Sequence, residues 1–180
     1  SFYNNLNLEI ERSIKFKFHH DIGLNEKNKF SSSIKSKIQF SNGDYYKSIS
    51  NSKLIICTYP ETTFAEAMAS NNPTIMFYNK KFFERNPMFH DLIGDLVKAK
   101  IIFFNAEDAS NHLNNIWHDI DSWWKSETVL EARLKFRRNA SKIDIYWSSK
   151  WSRFLSGFRP KKSKHNLIEK FTLYFISLRR

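Results

Sequence analysis

Residues 53–58 read Lys-Leu-Ile-Ile-Cys-Thr, a nearly continuous apolar run. A strand with one wet face alternates apolar and polar residues, so an unbroken run predicts a strand covered on both faces. Tyr59, Pro60, Glu61 and Thr62 then turn the chain. Thr63-Phe64-Ala65-Glu66 has the S/T-x-x-E spacing of a capping box and predicts a helix that runs to Ser70. Asn71, Asn72 and Pro73 close it, and residues 74–78 return as a second apolar strand. Strand, short helix and strand at this spacing predict a βαβ unit with a right-handed parallel crossover.

The same reading extends in both directions. Ile14, Lys15, Phe16, Lys17 and Phe18 alternate apolar and basic, predicting a strand with one buried face, which His19-His20-Asp21-Ile22-Gly23 breaks. Polar residues 25–37 predict a short helix or loop. Ile38-Gln39-Phe40 is a brief strand before the Ser41-Asn42-Gly43 turn, and Asp44 caps a short helix through Ile49. Downstream, residues 88–98 read as helix, 101–104 as strand and 107–120 as helix, with Glu107 and Asp108 at the positive end of the last. Leu130, Leu134, Phe136, Ile143, Trp147, Trp151 and Phe154 recur at roughly helical spacing and predict one long or broken C-terminal helix. Strands and helices alternate throughout, so the fold class is α/β: a Rossmann-like open, mostly parallel sheet flanked by helices.

Composition narrows what such a fold could do. The chain has 180 residues, 41% of them hydrophobic, enough for one domain, here residues 1–156, with residues 157–180 as a basic amphipathic tail. With 17 Phe and 5 Trp, large rings are expected to fill the interior. The net charge of +11 raises nucleic acid or an anionic membrane as partners. Much of it lies in the tail, where Arg159, Lys161, Lys162, Lys164, Lys170, Arg179 and Arg180 face only Glu169. The rest is spread out, with neither zinc-finger spacing nor an RNP motif, so nucleic acid is not expected. The tail suits an anionic membrane surface or a solvated terminal helix equally. The single Cys57 sits in an apolar run, reading as a buried thiol in a reducing cytoplasm. No apolar run of about 18 residues and no signal peptide is visible, so the expected location is cytoplasmic, at most peripheral at the inner membrane.

In open α/β sheets ligands bind beyond the carboxyl ends of the strands, which places residues 59–63 and 19–23 at one cleft. Tyr59 opens the first segment. Thr62 and Thr63 add hydroxyls to the free N–H groups of a helix start, a combination that suits phosphate oxygens, and Glu66 lies one turn in. The same residues also fit an ordinary capping box that touches no ligand. His20, with His19 and Asp21, could donate to a phosphate or move a proton; neighbours on a strand end point apart, so a metal site is not expected. With 4 Gly in the chain there is no G-x-G-x-x-G, Walker A or G-x-S-x-G motif, which removes P-loop, kinase and classical dehydrogenase readings. Trp117, Trp123, Trp124, Trp147 and Trp151 could stack on a sugar; their spacing favours packing.

Thr62-Thr63-Phe64-Ala65-Glu66-Ala67-Met68-Ala69, followed by Asn72-Pro73-Thr74-Ile75-Met76-Phe77, resembles the C-terminal, nucleotide-sugar-binding half of GT-B glycosyltransferases. Over residues 14–155 the chain is more closely similar to a bacterial family of surface-carbohydrate transferases. The residues carrying that likeness are His19 to Gly23, Cys57 to Ala67, Pro73 to Tyr78, Phe82-Phe83-Glu84, and Asp119 to Trp124. It is also similar to GT-B enzymes that use CMP-activated sugars, with Asp21 standing where those have Pro, so the nucleotide stays open. The resemblance implies that His20 binds phosphate, that Thr62 and Thr63 bind phosphate or nucleotide, and that Glu66 holds a ribose or sugar hydroxyl. It implies no metal or other cofactor, a polysaccharide, lipopolysaccharide or lipid-linked acceptor, and a catalytic base on a separate N-terminal domain, making this chain the C-terminal portion of a longer protein. Alternatives are a polyol-phosphate transferase, a nucleotide-sugar epimerase, or a non-catalytic module that binds a nucleotide-sugar or a protein.

Overall fold

The computed structural model describes residues 1–17, 39–41, 44–83, 86–141 and 144–158. Two compact units divide the chain, residues 1–143 and residues 144–180. In the first, β1 (Lys15–Phe16) and β2 (Gln39–Phe40) pair in parallel. A second parallel sheet has the order β3 (Ile55–Cys57), β4 (Thr74–Phe77), β5 (Ile102–Phe103), with Ile56 opposite Ile75 and Met76 opposite Ile102. The open sheet expected is divided into these two short parallel ones, which fit the α/β, Rossmann-like class and are flanked by helices α1 (Leu8–Ser13), α2 (Tyr45–Ser50), α3 (Thr62–Ala69), α4 (His90–Lys98), α5 (Ala106–Ile116), α6 (Ile120–Lys125) and α7 (Glu127–Asn139).

The alternation of strand side chains sorts the core into two layers. On β4, Ile75 joins Tyr3, Leu6, Ile10, Ala109 and Leu113, whereas its neighbour Met76 joins Phe64, Met68, Leu92, Leu96 and Phe136. β5 repeats this, with Phe103 in the first cluster and Ile102 in the second. A strand buried on both sides has no room for polar alternation, which explains its continuous apolar run. Helices α1 and α5 therefore cover one face, and α3, α4 and α7 the other.

Local capping accounts for several starts and one difference. Asp44 caps α2 as expected, its carboxylate accepting from Lys47 N at 3.0 Å. Asn105, rather than an acid, caps α5, accepting from Asp108 N at 2.7 Å while its own amide donates to Asp108 Oδ2 at 2.7 Å. α3 opens at Thr62, with Glu61 as N-cap and no side-chain cap bond, so the expected Thr63–Glu66 capping box does not form.

The C-terminal segment takes the broken form of the helix expected there, not the single long one. The long helix is broken: α7 ends at Asn139 and α8 (Trp147–Gly157) starts anew within the second unit, after Asp144 accepts from Tyr146 N at 2.9 Å. The apolar stripe of α7 is turned by one residue. Val129, Ala132, Arg133 and Phe136 are buried at i, i+3, i+4 and i+7, and the expected Leu130 and Leu134 are exposed. Among the tryptophans, Trp124 is buried and Trp117 and Trp123 half-buried, whereas Trp147 and Trp151 are exposed, against the packing role expected for them. α1 was not foreseen; it is held by Ile10, 1% exposed, and a bond from Asn7 N to Asn114 Oδ1 at 2.9 Å.

Arg133 occupies a core position without a carboxylate partner among the described residues. Its Nη1 donates to the Trp124 carbonyl at 2.8 Å, its Nη2 donates to Asn71 Oδ1, and the guanidinium lies 3.9 Å from the centre of the Trp124 ring. Trp124 Nε1 in turn donates to the Asn71 carbonyl at 3.1 Å. Asn71 has φ 66°, a left-handed position just past α3 that Asn tolerates better than most residues. Arg133→Ala leaves the Trp124 carbonyl and Asn71 amide oxygen without this donor and removes the ring contact. It is expected to lower stability by about 2–4 kcal/mol, read as a lower urea midpoint at unchanged slope, with Arg133→Lys in between because an ammonium lacks the planar fork.

His112 is another polar group set into the packing. Its ring lies 5.3 Å from that of Phe103 and 5.1 Å from that of Trp123, and its Nε2 is shut off from solvent without a hydrogen-bond partner. Burial, and then the charge of Lys100, push its pKa down from 6.5 to about 4. Between those values the unfolded chain binds a proton that the folded chain refuses, so stability falls as pH is lowered through this window. Thermal melts followed by circular dichroism are expected to show a midpoint several degrees lower near pH 4 than near pH 7. His112→Gln is expected to flatten that slope, and equal slopes would remove His112 from the explanation.

Candidate functional site

The carboxyl end of β3 delivers the chain into the segment on which the site is built. Cys57 is 6% exposed and its thiol, pushed by burial up to about 12, serves packing rather than chemistry. Beyond it, Tyr59 is 39% exposed, and its carbonyl accepts from Glu61 N at 3.1 Å, which tightens the turn into α3. Thr62 is exposed and Thr63 half-buried in the first turn of α3; Glu66 follows one turn later, also exposed.

The missing cap bond matters here. The first N–H groups of a helix have no acceptor within the helix, and Glu61, the N-cap of α3, makes no side-chain bond to them. The Thr62 and Thr63 amides thus stand with two hydroxyls at the positive end of a helix and the carboxyl end of a parallel strand. That is an arrangement that receives an anion well.

Tyr45 was not foreseen as part of this group. It comes from α2, just ahead of β3, and is half-buried. Its hydroxyl is closed off from solvent and makes no hydrogen bond of full geometry, yet it lies against the Glu66 carboxylate and the Thr63 hydroxyl. Burial first, and then the Glu66 carboxylate, push its pKa well above the usual phenol value. The phenol therefore stays protonated and can only be a donor toward Glu66. Leaving such a hydroxyl unsatisfied costs about 1–3 kcal/mol, which a small turn toward Glu66 removes. The sequence signal for Tyr45 was slight: Asp44 fixes where α2 begins, but Tyr45 and Tyr46 look alike in sequence, and Tyr46 is 71% exposed.

Of the residues expected from sequence, Thr63 and Glu66 are brought together around Tyr45, with Thr62 and Tyr59 on the same segment. His20, with His19 and Asp21, lies outside the described residues. A second concavity of about 480 Å³ lies beside β5, lined by Lys100, Phe103, Asn105, Asp108, Asn111 and His112 among others. Asn105 and Asp108 are already bonded to each other there as the α5 cap, so the segment after β3 offers the freer polar groups.

No curated protein and no solved structure matches the chain. The model of one protein family, the LIC12162 family transferase, matches residues 1–155, a span that takes in both parallel sheets, the segment after β3 and the helices that hold it. By that match the chain belongs to the LIC12162 family of transferases.

Proposed function

We propose that this chain is the donor-binding side of a glycosyltransferase, holding a nucleotide-sugar whose sugar passes to a bacterial surface polysaccharide or lipopolysaccharide acceptor. The observation that carries this reading is the uncapped start of α3 at the carboxyl end of β3, with Thr62 and Thr63 in its first turn. Membership in a transferase family supports transfer over epimerisation.

In this reading the nucleotide phosphate sits on the Thr62 and Thr63 amides and hydroxyls. As the bond from the sugar's anomeric carbon to the phosphate oxygen breaks, negative charge collects on that oxygen. The helix start and fixed donors stabilise it without reorganising. Glu66 accepts from a ribose or sugar hydroxyl, and Tyr45 orients that carboxylate. Tyr59 borders the ligand, and His20 is a further phosphate donor in the same proposal. The catalytic base is not among the residues assigned here. CMP is one nucleotide this reading allows.

Isothermal titration with CMP, CDP, UDP and GDP tests it. At least one nucleotide is expected to bind, and Glu66→Ala to weaken binding of the matching nucleotide-sugar roughly tenfold, as loss of a charge-assisted hydrogen bond does. Tyr45→Phe is expected to cost a smaller factor, and His20→Ala to weaken the bare nucleotide as well. Absence of heat with every nucleotide and its sugar conjugates would overturn the reading.

A further inference from the structure

In α8 the chain presents five large apolar side chains to solvent: Trp147 is 64% exposed, Trp151 56%, Phe154 57%, Leu155 58% and the adjoining Phe158 65%. At 100° per residue they fall within an arc of roughly 100° on one side of the helix. The rings of Trp151 and Phe154 lie 5.7 Å apart and those of Phe154 and Phe158 4.8 Å apart, so the stripe is continuous. Ser149, Ser156 and Arg153 lie on the opposite side, with Ser148 and Ser152 on one flank and Lys150 on the other. There is no acid within the helix; Asp144, ahead of it, pairs with Lys150.

From this we propose that α8 is a membrane-surface anchor. It lies in the plane of an anionic bilayer, with Trp147, Trp151, Phe154, Leu155 and Phe158 in the boundary between headgroups and acyl chains. Three observations select lipid as the occupant. Trp and Phe dominate the stripe, and aromatic rings prefer that boundary. The other side chains of the helix are Ser, Lys150 and Arg153, with no acid, so its polar side carries only charge that anionic headgroups attract. Charge is complementary: residues 144–180 hold nine Lys and Arg against Asp144 and Glu169, most of the chain's net +11. Among the described residues no helix is long and apolar enough to cross a membrane, and α8, at about 1.5 Å per residue, is far too short to do so. The helix lies on the surface. The proposal stands independently of the donor site.

Flotation of the full chain with vesicles tests it, using phosphatidylcholine alone and phosphatidylcholine with about 30% phosphatidylserine. The protein is expected to float with the anionic vesicles and to be released by salt, with weaker binding to the neutral ones. The double variant Trp151→Ser, Phe154→Ser is expected to lose at least about tenfold in partitioning, with unchanged thermal midpoint because both side chains are exposed. A wild-type chain that stays in solution with both vesicles would overturn the proposal. So would a double variant that floats as well as wild type, which would assign binding to charge alone, or self-association without flotation, which would make the stripe an interface between copies.

Discussion

A guanidinium with no acid partner among the described residues ties the far end of this fold's central crossover helix to the helices packed behind it. Burying an isolated charge costs far more than a hydrogen bond returns, so a buried Arg ordinarily has a carboxylate. Arg133 instead meets oxygens where helices finish: the Trp124 carbonyl in the last turn of α6 and the side chain of Asn71 just beyond α3. Carbonyls at helix C-termini carry partial negative charge, and the Trp124 face adds the negative side of its ring quadrupole. Two helix ends and a ring thus engage the two terminal nitrogens and one face of the guanidinium, while its buried Nε makes no hydrogen bond. Three elements, α3, α6 and α7, are tied at one point.

That tie reaches the site through the stiffness of a short helix. α3 is anchored at its far end by Arg133 through Asn71, and along one side by Phe64, Ala67 and Met68 in the core. Its near end, where Thr62 and Thr63 stand, has no cap of its own. Position therefore comes from packing behind the site rather than from bonds within it. This leaves the first-turn amides free for another acceptor. A capping box would have satisfied the same donors locally and competed with a ligand for them.

The sequence made the β3-α3-β4 unit legible because burial on both faces demands an apolar run, and Asn71-Asn72-Pro73 can only end a helix. It was less informative wherever identity depends on a partner far along the chain. Arg133 reads in sequence as one more cation on a helix, and only the fold brings Trp124 and Asn71 to it. The stripe of α7 came out one residue off because Leu130 and Leu134 are the larger apolar side chains and drew the reading to themselves, while the core took the smaller Val129 and Ala132. Trp147 and Trp151 recur as core residues do. Periodicity gives the side of a helix on which apolar residues gather, not what covers it. Tyr45 belongs to the same class, since its role depends on Glu66 in α3, the next helix along the chain, beyond β3.

Glu66 remains the instructive residue, because an acid beside the proposed anion site needs a reason. An ionised carboxylate has no proton to give and cannot bond to phosphate oxygen. Next to a bound phosphate it is repelled, so its place in the site makes sense only if it faces a donor. Tyr45 supplies one such donor from within the protein, its phenol kept protonated by burial and by Glu66 itself. A small turn of the hydroxyl toward Glu66 would use part of the carboxylate's accepting capacity and leave the rest for another donor. Hydroxyl groups of a ribose or a sugar are the donors a nucleotide-sugar brings to such a position. The helix start would then select the phosphate and the carboxylate the hydroxylated ring, with one turn of α3, about 5.4 Å, between them.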